Sequence, residues 1–161
     1  MMFTVRVVKY SKEYLGTDMI DEEVSLQALK SLNKFMAEMN SWETEFFRVR
    51  KENLAGGGDD PGIKVSFEGR LEKILHIFAF KDKSNFGRLI DLGCVNPPTY
   101  DPQSDIVEVV SVNGEEVVFQ IQQTVGVEVT SRIVMVYKTG EWKVKKKESL
   151  GYDGKWKRSP L

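Results

Sequence analysis

Cysteine and histidine are almost missing from this chain: each occurs once, as Cys94 and His76, among 161 residues. One cysteine closes no internal disulfide and offers no zinc-ligand spacing, a usage that suits a reducing compartment. With one histidine to activate it, Cys94 reads as a small semi-buried apolar residue rather than a nucleophile. His76 has no partner at metal-ligand spacing and reads as a partly buried packing or hydrogen-bonding residue. No metal and no cofactor are expected. Long hydrophobic runs are missing too, since nothing approaches the roughly 20 apolar residues of a membrane helix. In the opening "MMFTVRVVKY", Arg6 interrupts the apolar run before a signal-peptide core forms, and no small-residue cleavage site follows. These features predict a cytoplasmic protein that does not engage a membrane. The glycine-rich "AGGGDDPG" lacks the lysine of a phosphate-binding loop, and Asp59 and Asp60 would repel an anion there.

What is present is ordinary globular material, 41% apolar and 29% charged, which excludes a disordered or fibrous chain. The length fits one domain, residues 1–161, burying about two-thirds of the surface its unfolded form would expose. The net charge of -1 hides an asymmetry: residues 138–158 hold eight Lys or Arg against three Asp or Glu. That tail also carries two Gly-x-Trp units, at Trp142 and Trp156, and raises the question of a basic, aromatic nucleic-acid surface.

Periodicity answers part of that question. Phe3, Val5 and Val7 alternate and could add a short strand. From Asp21, Leu26, Leu29, Leu32, Met36, Met39, Trp42 and Phe46 recur at steps of three and four behind Asp21, Glu22 and Glu23, which predicts a long amphipathic helix. "NLAGGGDDPG" ends it as a loop, and a second helix is expected over about 66–80, with Phe67, Leu71, Ile74, Leu75 and Phe78 on one face. "NPPTYDP" is a rigid extended connector.

From Asp105 the period becomes two, and hairpin turns are expected at Asn113-Gly114 and Thr139-Gly140. The second turn would pair Tyr137 with Trp142 and Met135 with Val144 on the core face. Lys143, Lys145 and Lys147 would then face solvent with Arg132, and Lys146 would stand on the Trp142 side. On this reading Trp142 belongs to the core, which disfavours nucleic-acid binding. In the first hairpin, pairing Val112 with Glu115 puts Glu108 opposite Phe119, on a face with Ile106, Val110, Val117 and Ile121, while Val107, Val109 and Val118 take the other. That misplaced glutamate asks for a bulge or for two partly covered faces.

Helix, loop, helix, then antiparallel strands is an α+β order. Taken together, "FMAEMNSWE", "KILHIFAFKDKSNFGR", "PPTYDPQSDIVEV", "QIQQT", "TGEWKVKKKES" and "YDGKWKRSPL" resemble the NTF2-fold immunity proteins of bacterial polymorphic-toxin systems, especially the Rhs-associated group. The match covers residues 21–161 and leaves 1–20 as an N-terminal extension. The resemblance implies an NTF2-like cone, with N-terminal helices packed on a strongly curved antiparallel sheet. It implies a non-enzymatic function: binding and neutralising one cognate protein toxin by stoichiometric occlusion. Trp42, Arg88, Pro98, Tyr100, Asp101, Trp142 and Trp156 carry the family signal and read as structural. Glu38, Glu43 and Glu45, taken as the exposed acidic side of the first helix, and Asp59 and Asp60 in the loop would suit a basic nuclease as partner. The competing reading is an NTF2-like enzyme or small-molecule binder, with Asp91, His76 and Tyr100 as candidate pocket groups.

Overall fold

A computed structural model describes residues 8–12, 14, 19–58 and 60–161. The expected strand at Phe3, Val5 and Val7, and Asp59, lie outside the described residues. The elements are α1 (Met19–Ala55), α2 (Pro61–Phe78), a 3-10 turn (Gly87–Leu89), β1 (Ile106–Asn113), β2 (Glu116–Gln122), β3 (Thr130–Lys138), β4 (Glu141–Leu150) and β5 (Trp156–Ser159). Among the described residues the five strands form one open antiparallel sheet in the order β1-β2-β3-β4-β5, and the helices cover one face of it. This is the expected α+β architecture of an NTF2-like fold.

α1 buries Ala28, Leu29, Leu32, Phe35, Met36, Met39, Trp42 and Phe46, the stripe its periodicity announces. Each large apolar side chain taken from water there stabilises the fold by about 1.5–3 kcal/mol. The loop after α1 is shorter than expected, because α2 starts at Pro61 rather than near residue 66. The Oδ1 of Asp60 accepts the Gly62 N–H at 2.8 Å, and Pro61 occupies a first-turn position where no N–H is needed. Proline, read in the sequence as part of the break, is instead the first residue of the helix. α2 ends at Phe78 because the next residues join the sheet edge: the Phe80 N–H donates to the Val144 carbonyl at 2.9 Å.

Two bulges determine which side chains reach the core. In β1, the register runs Val109↔Phe119 and then Ser111↔Val118, leaving Val110 unpaired. The turn residues are Gly114-Glu115, with Gly114 at φ +60°, rather than Asn113-Gly114. The expected face assignment of β1 is therefore corrected: Val107 and Val109 join Val117, Phe119 and Ile121 toward the core, and Val112 rejoins them after the bulge.

The second hairpin turns at Thr139-Gly140 as expected, with φ of 53° and 82° as a type I′ turn requires. Tyr137↔Trp142 and Met135↔Val144 pair as expected. Beyond them the register shifts so that Val134 opposes Lys146 and Ile133 opposes Lys147, leaving Lys145 as the extra residue. The parity of the strand inverts there, which overturns the expectation for two lysines. Lys147 lies on the core face and is buried, and Lys146 lies outside beside Glu148. Trp142 is on the core face but only half-buried. Trp156, across from Leu150, lies on the outer face, where the Arg132 guanidinium stacks over its ring at 4.5 Å.

Candidate functional site

The sequence signatures at residues 39–43, 88 and 95–101 converge on a single buried polar clip. Glu43 is 1% exposed. Its Oε1 accepts the Thr99 N–H at 2.6 Å, its Oε2 accepts the Val95 N–H at 3.0 Å, and the Arg88 guanidinium pairs with the same Oε2. Arg88 also lies over the Trp42 ring, 5.0 Å from its centroid. Trp42 in turn donates Nε1–H to the Phe67 carbonyl at 2.8 Å, locking α1 to α2. Asn40 donates to the Tyr100 carbonyl at 2.7 Å. A chain segment without secondary structure thus has its N–H groups satisfied by a helix side chain, as buried backbone requires.

The expectation that Glu43 stands on an exposed acidic side is therefore corrected. The signal was available in the sequence: Glu43 follows Met36 by seven and Met39 by four, which is the buried stripe. The other acidic candidates are not gathered into one constellation. Glu38 is exposed on α1. Glu45 pairs with Arg70 at 2.9 Å, and this hydrogen bond and positive charge hold its carboxyl below the usual range. Asp60 is spent on the α2 cap.

Asp91, His76 and Tyr100 do not share a cavity. Asp91 is exposed, Tyr100 is buried, and His76, half-exposed rather than partly buried, packs edge-on to Phe86 and lies 3.7 Å from Glu72. Burial pushes the Cys94 thiol up from its ordinary range, opposite to the shift that activates a nucleophile. The basic strand is interleaved with carboxylates, through Lys143 with Glu141, Lys145 with Glu116 and Lys146 with Glu148. Pro98 is half-buried in the connector, and Asp101 accepts the N–H groups of Gln103 and Ser104 to close the turn before β1. Among the described residues no group of His, Cys, Asp or Glu is arranged to hold a metal, and no helix is long and apolar enough to cross a membrane.

Beside the clip opens a cleft of about 430 Å³, between the connector at 95–99 and the β2–β3 loop at 123–129. Tyr100, Ser131 and Lys147 are its buried polar members; Val95, Pro97, Ile121, Val127 and Val129 supply its apolar wall. Gly126, at φ +79°, packs so closely on Pro97 that a Cβ would come within 2.6 Å of its Cγ. The Lys147 ammonium donates to the Tyr100 hydroxyl at 3.0 Å and lies 4.6 Å from that ring's centroid. Sequence reasoning missed this cleft. "TVGVEVT", three valines around a glycine, was the available sign of an exposed apolar loop.

Comparison with known proteins places these features in a family. A family model described as NTF2 fold immunity protein matches residues 27–160, from α1 through β5. The immunity protein RhsIA of Dickeya dadantii (strain 3937) is 30% identical over 132 residues, covering 81% of this chain and 93% of that protein. No solved structure gave a match. The matched span takes in Glu43, Arg88, Tyr100 and Lys147, so the clip and the cleft both lie within the shared domain: the chain belongs to the NTF2 fold immunity protein family.

Proposed function

We propose that this immunity protein neutralises a cognate Rhs-type polymorphic toxin by stoichiometric occlusion, covering the toxin's active site or substrate path without chemistry of its own. The family membership carries the reading. The packing supports it: Phe35, Trp42, Tyr100, Phe119 and Met135 fill the space between helices and sheet where a small-molecule pocket of such a cone would have to open. The candidate proton-transfer groups do not converge, so nothing favours the enzymatic alternative. Glu38, Glu45 and Asp60 on the helical side would steer a basic toxin, a nuclease being the natural class.

The test is co-expression with the toxin encoded beside it. A stable one-to-one complex on size-exclusion chromatography and restored growth are expected. Absence of both a complex and growth rescue would remove the proposal.

A further inference from the structure

We propose that the cleft between the connector and the β2–β3 loop is the toxin-docking point, and that it receives the carboxylate of an aspartate or glutamate borne on an apolar loop of the toxin, with Lys147 as counter-ion. The inference rests on the proposed toxin-binding function and adds the surface and the chemistry of the anchor.

Three observations carry it. First, Lys147 is 6% exposed yet forms no ion pair among the described residues; its one oxygen acceptor there is the Tyr100 hydroxyl. An ammonium has three N–H donors, and burying it without an anion is costly, whereas a methionine would fill the same volume at no electrostatic cost. The bulge at Lys145 is what turns this lysine inward, so the fold goes out of its way to hold a cation there. Glu128, the one carboxylate of the neighbouring loop, is exposed and makes no ion pair with it. Second, Lys147 lies in a cleft open to the surface, with the Ser131 and Tyr100 side chains beside it as further polar groups. Third, the rim is apolar and exposed: Val127 is 70% accessible, Val95 56% and Val129 37%. A free small carboxylate would leave those valines in water. A polypeptide loop would cover them, and apolar cover around a central charged pair is how interface anchors gain strength. The contact between Gly126 and Pro97 fixes the two walls relative to each other, so the site is formed before binding.

The experiment measures affinity for the catalytically inactivated toxin domain by titration calorimetry, with circular dichroism and thermal melts to verify folding. Lys147→Met retains the stem and removes the charge, and should weaken binding by about thirtyfold or more, the effect of deleting one partner of a desolvated pair. Val127→Glu alters only an exposed rim position, and should weaken binding by about tenfold or more by placing a like charge against the anchor. Lys146→Met, on the outer sheet face, should bind as the parent does. An amide scan of the toxin's acidic residues should find one position whose loss is not additive with Lys147→Met. If the parent binds and the folded Lys147→Met and Val127→Glu proteins bind within about twofold of it, the docking inference falls while the immunity function stands. If Lys147→Met does not fold, Val127→Glu and the toxin scan decide. If the parent itself forms no complex, the function proposed above falls with it.

Discussion

Glu43 in the middle of α1 and Thr99 in the connector are joined by a 2.6 Å hydrogen bond across fifty-six positions of sequence. With the Val95 N–H and Arg88 on its other oxygen, this carboxylate holds an irregular segment against a helix. The same segment forms one wall of the cleft, so the clip sets the shape of the proposed docking surface from behind.

Removing the Glu43 charge should therefore cost stability well beyond a surface substitution. Glu43→Gln leaves the Arg88 guanidinium, only 12% exposed, without its counter-charge, and about 3 kcal/mol or more should be lost in urea unfolding. Arg88→Met should cost a similar amount, and the double variant clearly less than both losses combined. Additive losses would mean that the two residues do not act as a pair.

Gly126→Ala should loosen the cleft wall. At φ +79° an alanine is disfavoured by about 1–2 kcal/mol, and its Cβ would run into Pro97. The thermal midpoint should fall modestly, with hydrogen exchange rising in 123–129 and 95–99 while α1 stays protected. Exchange that rises uniformly across the protein would contradict a local role.

Asp82 ties the turn after α2 to β5. The Asn85 backbone N–H, followed by the Arg158 charge, holds its carboxyl below the ordinary aspartate range, and Arg158 lies 2.6 Å from Oδ1. A folded-state pKa that is lowered gives stability present above the unfolded value, near 4, and lost as pH falls through the folded one. Asp82→Asn should thus be less stable than the parent at neutral pH, by under about 1 kcal/mol because the pair is exposed to solvent. Melts from pH 7 to pH 2 should show that gap closing at the acid end. A gap that widens as pH falls would reverse the assignment.

Much of the fold was legible from residues alone because the signals are local. The stripe from Leu29 to Phe46 on α1 and the positive-φ turn at Thr139-Gly140 need only neighbours three or four positions away. The family resemblance carried by Trp42, Glu43, Arg88 and Tyr100 pointed to the right domain without revealing that these residues form one clip.

The order of elements, the buried helix faces and the pairing around the second turn were determined by the sequence itself, since propensity, period and turn chemistry act over a few residues. Only the tertiary structure decided the fate of Val107, Val109, Lys146 and Lys147. A single unpaired residue in a strand inverts every later side chain, and whether Val110 or Lys145 is left over depends on what the adjacent strand and the helices behind it can accommodate. The same holds for Glu43: its place on the apolar stripe is written locally, but its partners come from chain that reaches it through the fold.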